Sequence, residues 1–355
     1  MVPTTRQATK TKVGEEVLDL VIPYIHNVDD RSSVSLVSRN FYEVEGITRK
    51  HLTVRVHYYP NSACLSKRFP FFESLTLKGP PPDFSQTHYH PDIRITPWIK
   101  QLALEFRCSK ELCIHRLVVH DEDLETLART RECYLSKLGD AFRLENFGGY
   151  SCEDKSERVG FQIRKLKLVL ACLDEDQKCL LFMRCTNVGL ISLAKGCTNL
   201  ESLDLILGNI SNEALECVGT HLKNLGDFHM HLVKDDGTTG LLDNGIRAML
   251  MGCRKLERLD ISLWHGRLTD VGLEYIWKYG VNLRSLHLEC VGNSNAGLVK
   301  LSQGYQKLRK LKLFGCPFSE QVVASYVFNI PSLRYVLFDR SDRDGMCLTR
   351  PDFQV

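Results

Sequence analysis

Six segments in the second half of the chain share one pattern, L-x-x-L-x-L. They are NLESLDL from Asn199, NLGDFHM from Asn224, KLERLDI from Lys255, NLRSLHL from Asn282, KLRKLKL from Lys307 and SLRYVLF from Ser332. Their anchors are Leu200, Leu225, Leu256, Leu283, Leu308 and Leu333, spaced by 25, 31, 27, 25 and 25 residues. A helical stretch such as GLISLAKGC or GIRAMLMGC precedes each strand-like run. One short strand and one amphipathic helix cannot bury their apolar faces alone, so such units stack and share a continuous core. The pattern is that of a leucine-rich repeat. It predicts an α/β solenoid with parallel strands on the concave face and helices on the convex face.

The first half repeats less cleanly. Phe72-x-x-Leu75-x-Leu77, Ser109-x-x-Leu112-x-Ile114, Leu135-x-x-Leu138 and Ile163-x-x-Leu166-x-Leu168 read as four further units, about ten in all. Asp140 occupies the last strand position of the third. The stretch 145–160 is polar and unpatterned, and 37 residues separate Ile163 from Leu200. That spacing predicts irregular stacking.

Composition excludes several classes. A net charge of +3 with 43% hydrophobic and 25% charged residues is ordinary globular usage. It argues against wholesale nucleic-acid or membrane binding. No run approaches the roughly 18 apolar residues of a membrane span. The 14 cysteines are scattered without a CxxC pair, and several fall in Gly-Cys pairs (Gly196-Cys197, Gly252-Cys253, Gly315-Cys316). They read as small buried residues in a reducing compartment, nucleus or cytoplasm. His88-Tyr89-His90 lacks a second ligand cluster and so is a weak metal signal. No phosphate loop is present, and nothing singles out Cys185 as a nucleophile. Trp98, Trp264 and Trp277 read as packing residues. No active site of its own is expected.

Residues 1–12 read as a disordered polar tail, 13–54 as a helical domain and 55–355 as the solenoid, with irregular junctions near 145–160 and 187–188. The helical domain spans three short helices: Glu15 to about Tyr24, Ser32 to Leu36 and Ser38 to Val44. Asp29 or Asp30 is expected to cap the second. An acidic-apolar opening, a D-D-R turn and then S-L-V-S-R-x-F-Y resemble an F-box, with Ser38 and Phe41 in place of that family's Cys and Trp. The resemblance implies docking to a Skp-type adaptor and cullin. Val17, Leu18, Val21, Ile22, Leu36, Val37 and Phe41 are the candidates for the adaptor face.

A wider resemblance covers most of the chain. The runs TRKHLTV, FPFFESLTLKG, TPWIK, GTHLKNLGDF, LLDNGIRAML, LTDVGLEYI and PSLRYV are similar to the plant coronatine-insensitive jasmonate-receptor family. That family's solenoid is longer, so the chain reads as a shortened member with two internal losses, one near 145–160 and one near Asn187-Val188. The resemblance implies a substrate-receptor subunit of an SCF ubiquitin ligase, non-catalytic itself, with a pocket for jasmonoyl-isoleucine and a JAZ-like repressor. It also implies an inositol polyphosphate site, for which Lys78, Arg116, Lys310 and Arg334 are the candidates. At the hormone-pocket positions this chain carries Pro82, Ile206, His229, Ser262, His287, Phe314 and Leu337. Pro82, His229 and Phe314 stand where the family has clamping arginines. Each lost charge-assisted hydrogen bond costs about 1.5–3 kcal/mol, so these substitutions argue against hormone binding. A hormone co-receptor, a repeat scaffold without ubiquitin function and a decayed paralogue are the alternatives.

Overall fold

A computed structural model describes residues 20–56, 58, 63–79, 95–105, 110–129, 164–169, 183–232, 240–264, 266–301 and 307–339. A 3-10 turn at Ile22–Tyr24 leads into α1 (Val28–Val34) and α2 (Arg39–Thr48). The solenoid then runs β1 (His51–Arg55), α3 (Ala63–Arg68), β2 (Ser74–Lys78), α4 (Thr96–Glu105), β3 (Glu111–His115), β4 (Val119–His120) and a helix α5 over 121–129. It continues through β5 (Lys165–Val169), β6 (Met183–Arg184), α6 (Asn187–Gly196), β7 (Ser202–Leu207), α7 (Asn212–His221) and β8 (Asp227–Leu232). The last units are α8 (Asp243–Gly252), β9 (Arg258–Ser262), α9 (Asp270–Tyr279), β10 (Ser285–Glu289), α10 (Asn295–Leu301), β11 (Lys310–Phe314), α11 (Glu320–Asn329) and β12 (Tyr335–Asp339).

Ten strands form one sheet in the order β1-β2-β3-β5-β7-β8-β9-β10-β11-β12, and β4 pairs with β6 in a small second ladder. Every pair is parallel and in repeat register: Leu203 lies opposite Phe228, and Leu286 opposite both Leu259 and Leu311. Alternate strand residues point into the core between sheet and helices. Leu203, Leu205, Leu288, Leu311 and Leu313 are buried there, as are the anchors Leu200, Leu225, Leu256, Leu283 and Leu308. Each fully buried leucine contributes about 1.5–3 kcal/mol. Leu333, in the last described unit, is only partly buried.

A side-chain ladder locks the helices in the same register. The first residue of a helix reaches to the turn before the next helix. Asp121 accepts hydrogen bonds from the Thr186 amide (2.7 Å) and hydroxyl (2.6 Å). Asn212 accepts from Gly245 N, Asp243 from Thr269 N and Oγ1, Asp270 from Ser294 N and Oγ, and Asn295 from Ser319 N. Gly272 is needed here, because a Cβ at that position would run into the Asp243 carboxylate and Leu268. Thr186 then caps its own helix by accepting from Val188 N.

The described strands on either side of the expected irregular junctions keep repeat register. Lys165 pairs with Glu111 on one side and Ser202 on the other, and Val119 pairs with Met183. Strand, connector and helix all keep register, so Asn187 and Val188 begin an ordinary capped helix rather than a faulty junction. β3 pairs directly with β5. The expected Leu135–Leu138 unit, the stretch 145–160 and the tail 1–12 lie outside the described residues. The boundary expected at residue 54 also moves: His51–Arg55 is already the first strand of the sheet.

Trp98 is buried in the core, and Trp264 and Trp277 pack against it. Cys185, Cys253 and Cys316 are buried free thiols. Burial pushes the Cys253 thiol up to about 12, which keeps it protonated and inert. Among the described residues no helix is long and apolar enough to cross a membrane.

Candidate functional site

Two surfaces carry the candidate residues, the N-terminal helices and the concave face of the sheet. The helix α1 starts earlier than the sequence suggests. Its cap is Asn27, whose side-chain oxygen accepts from the Asp29 (2.8 Å) and Asp30 (3.2 Å) amides. Asp29 and Asp30 instead occupy the first turn, where their charge favours the helix N-terminus. Ser38 caps α2 by accepting from Phe41 N. The structure divides the expected adaptor residues. Ile22 is buried against α2 and belongs to the interior. Phe41 is half-buried. Leu36 is 85% exposed and Val37 67%, and Val21 is also open. Leu20, Tyr24 and Val28, which sequence reasoning missed, add to this exposed apolar set. Val17 and Leu18 lie outside the described residues.

One carboxylate joins this helical unit to the solenoid. Glu45 of α2 is fully buried among three guanidinium groups: Arg31 of the D-D-R turn at 3.4 Å, Arg68 of α3 at 3.2 Å, and Arg49. Arg31 also donates to Thr48 Oγ1 at 2.7 Å. The Arg68 guanidinium lies 3.8 Å from the Tyr42 ring centroid and 4.9 Å from that of Phe69. Charge pairing and cation–π contact together couple α1, α2 and the first repeat.

On the concave face, cations meet carboxylates of neighbouring strands. Glu73 is shared by Lys50 (3.2 Å) and Lys110 (2.8 Å). Lys165 meets Glu111 at 2.6 Å, Lys167 meets Asp204 at 2.8 Å and Arg258 meets Asp227 at 3.2 Å. Hydrogen bonds from Lys110 and Lys50 hold Glu73 below the usual carboxylate range, and Lys165 does the same for Glu111. At the centre, Asp260 lies between His229 (3.4 Å) and His287 (2.8 Å), both facing it through Nδ1. A carboxylate only accepts, so the Nδ1 of His287 carries the proton. Burial alone would raise Asp260, but hydrogen bonds from His229 and His287 outweigh it and hold the carboxyl well below its ordinary range. The same bond raises His229. The Phe314 ring lies edge-on to His287 at 5.1 Å.

The structure places on neighbouring rungs six of the positions that the resemblance assigns to a hormone pocket. Ile206, Ser262 and Phe314 share one rung of the sheet, and His229, His287 and Leu337 the next. Pro82 lies outside the described residues. Asp260 engages the Nδ1 of both imidazoles, while the Nε2 of His287 is buried with no hydrogen-bond partner among the described residues. The four polyphosphate candidates fall into two groups. Lys78 and Arg116 are near β2 and β3, whereas Lys310 and Arg334 are at β11 and β12. Six strand steps separate β3 from β11, about 29 Å along the sheet. Gly79, after Lys78, is required by packing: a Cβ there would strike the backbone of Arg116, itself in the left-handed region at φ 56°. Among the described residues no group of three or more His, Cys, Asp or Glu could hold a metal.

Comparison with known proteins agrees with this architecture. The F-box family matches residues 10–51. Coronatine-insensitive protein 1 of Arabidopsis thaliana is 28% identical over 525 aligned residues, which cover 96% of this chain and 89% of that protein. Coronatine-insensitive protein homolog 1b of Oryza sativa subsp. japonica is 26% identical, covering 97% and 88%. An alignment of 525 positions against a chain of 355 residues places long gaps inside this chain. The solved structure of the yeast Rad7 and Elc1 complex shares the fold, with a TM-score of 0.50 at 14% identity over 97% of this chain and 92% of that one. An N-terminal F-box followed by a parallel, helix-backed solenoid defines an F-box/leucine-rich-repeat protein. Within that class the chain is similar to the coronatine-insensitive proteins over nearly its whole length.

Proposed function

We propose that the chain is the substrate-receptor subunit of an SCF ubiquitin ligase, not itself catalytic, acting in the nucleus or cytoplasm. Its F-box docks a Skp-type adaptor, and its concave sheet holds a protein to be ubiquitinated. The observation that carries this reading is the exposed apolar set of Val21 and, in the turn between α1 and α2, Leu36 and Val37, on a helical unit tied to the solenoid through Glu45. Large apolar side chains left open on such a unit suit a protein interface. Recruitment is independent of jasmonoyl-isoleucine in this proposal, because Pro82, His229 and Phe314 stand where the resemblance implies clamping arginines.

The test is co-expression with a plant Skp-type adaptor followed by size-exclusion chromatography. The wild-type chain is expected to elute as a one-to-one complex. Leu36→Asp is expected to abolish the complex while leaving the melting temperature unchanged, since Leu36 is 85% exposed. Phe41→Asp should also abolish it, with some loss of stability from its half-buried ring. A folded Leu36→Asp variant that still bound the adaptor would contradict the assignment.

A further inference from the structure

The pairing of cations on the concave face stops at the last repeats. From β1 to β10, Lys50, Lys110, Lys165, Lys167, Arg258 and Arg284 each have a carboxylate on an adjacent strand or turn, ending with Arg284 and Glu257 at 3.4 Å. Arg55 and Lys78, in register at the other end of the sheet, and Arg116 carry no ion pair among the described residues. On β11 and β12 the basic residues continue, and the described acid of these strands, Asp339, lies at the far end. Arg309 and Arg334 immediately precede β11 and β12. Their amides donate to the carbonyls of Arg284 and Arg309, at 2.8 Å each, so the three arginines form one column across consecutive strands. Lys310 and Lys312 point from β11 to the same concave side. Among the described residues Arg309, Lys310, Lys312 and Arg334 have no ion-pair partner. The acids of these strands, Glu289 and Asp339, sit at the far ends of β10 and β12, flanking Phe314 rather than the column. Arg309, Lys310 and Arg334 are exposed, and Tyr335, in register with Lys310, is 40% exposed.

Like charges on adjacent strands disfavour each other. Along the middle of this sheet an acid relieves them; here a bound partner would. Arginine forks take carboxylates two-pronged, and an exposed tyrosine beside them supplies the apolar contact common at the centre of interfaces. We propose that the last three repeats dock an acidic segment of the recruited protein, with its Asp or Glu side chains taken by Arg309, Arg334 and Lys312. The proposal rests on reading the chain as a substrate receptor and names the chemistry of what it receives.

The test uses the full chain co-purified with a Skp-type adaptor and a fluorescein-labelled oligo-glutamate peptide, read by anisotropy. Binding is expected, weakening as salt rises. The double variant Lys312→Glu/Arg334→Glu should lose at least about tenfold in affinity. Lys165→Gln, a paired cation far along the sheet, should leave it unchanged. Melting temperatures show that the variants fold, and adaptor co-purification reports on the F-box separately. Adaptor loss with peptide binding intact would sink the receptor reading and keep the docking surface. Adaptor retention with no peptide binding, or with binding untouched by charge reversal, would overturn the docking surface. So would a single-stranded oligonucleotide that binds as tightly as the peptide.

Discussion

The basic residues of this protein live in two environments. In the N-terminal helices and on the concave face up to β10 most are paired, from the fully buried Glu45 with its three arginines to the exposed Lys165–Glu111 contact, with Arg55, Lys78 and Arg116 as exceptions. At β11 and β12 they stand in an unpaired column. The backbone is the same in both regions, parallel strands in one register, so the difference is chemical rather than architectural. A paired cation holds neighbouring repeats together and has little left for a ligand. An unpaired one contributes little to the fold and is available to a partner.

This contrast can be broken by removing charges one at a time. Glu45→Gln should have the largest effect, about 3 kcal/mol or more, because it leaves three guanidinium groups around a neutral side chain. Chemical denaturation would measure it. Asp260→Asn comes next, with an expected loss of about 1.5–3 kcal/mol from two charge-assisted contacts. Its pH dependence is specific. The Asp260 pKa is lowered by folding, so its contribution is present above the ordinary value of 3.8 and fades as pH falls toward the folded value. The His229 pKa is raised, so its contribution is complete below 6.5 and is lost as pH rises through the folded value. The gap in melting temperature between wild type and Asp260→Asn should therefore be widest near about pH 5 and narrower near about pH 8. A gap of equal size at both would refute the pairing.

Smaller effects complete the series. Lys165→Met should cost about 0.5 kcal/mol, since the Lys165–Glu111 contact is largely exposed. Lys312→Ala should change stability by less than about 0.5 kcal/mol, because no carboxylate depends on it. If Lys312→Ala destabilised the fold more than Lys165→Met, the division between paired and unpaired regions would be wrong.

Much of the architecture is legible in the sequence because each repeat must bury the same leucines. The last six units follow directly from L-x-x-L-x-L. The first strand does not, since HLTVR offers only Leu52 and Val54 to the core and follows a helix without a break. Counting leucine anchors also misjudges the middle of the chain. Residue spacing includes insertions, whereas stacking depends on register, and Asp121 shows the register intact by capping the turn at Thr186. The cap of α1 is missed for a local reason. Asn27 and Asp29 are both good capping types, and only geometry shows which side chain reaches the amides.

The concave charge network is hidden for a different reason. His229, Asp260 and His287 are 31 and 27 residues apart. Those are the spacings between the repeat anchors, so laying DFHMHL, RLDIS and SLHLE in columns brings the three together. The same columns reveal Arg284, Arg309 and Arg334, each one residue before its strand. Exposure is not legible in this way. Ile22 and Val21 are adjacent and both apolar, yet one is buried and the other open.

The most direct measurement is hydrogen exchange on the adaptor-bound chain with and without the oligo-glutamate peptide. Protection on peptide addition confined to residues 284–339 would agree with docking on the unpaired basic column. Protection spread over β3 to β9, or none anywhere while the chain remains folded and adaptor-bound, would contradict it.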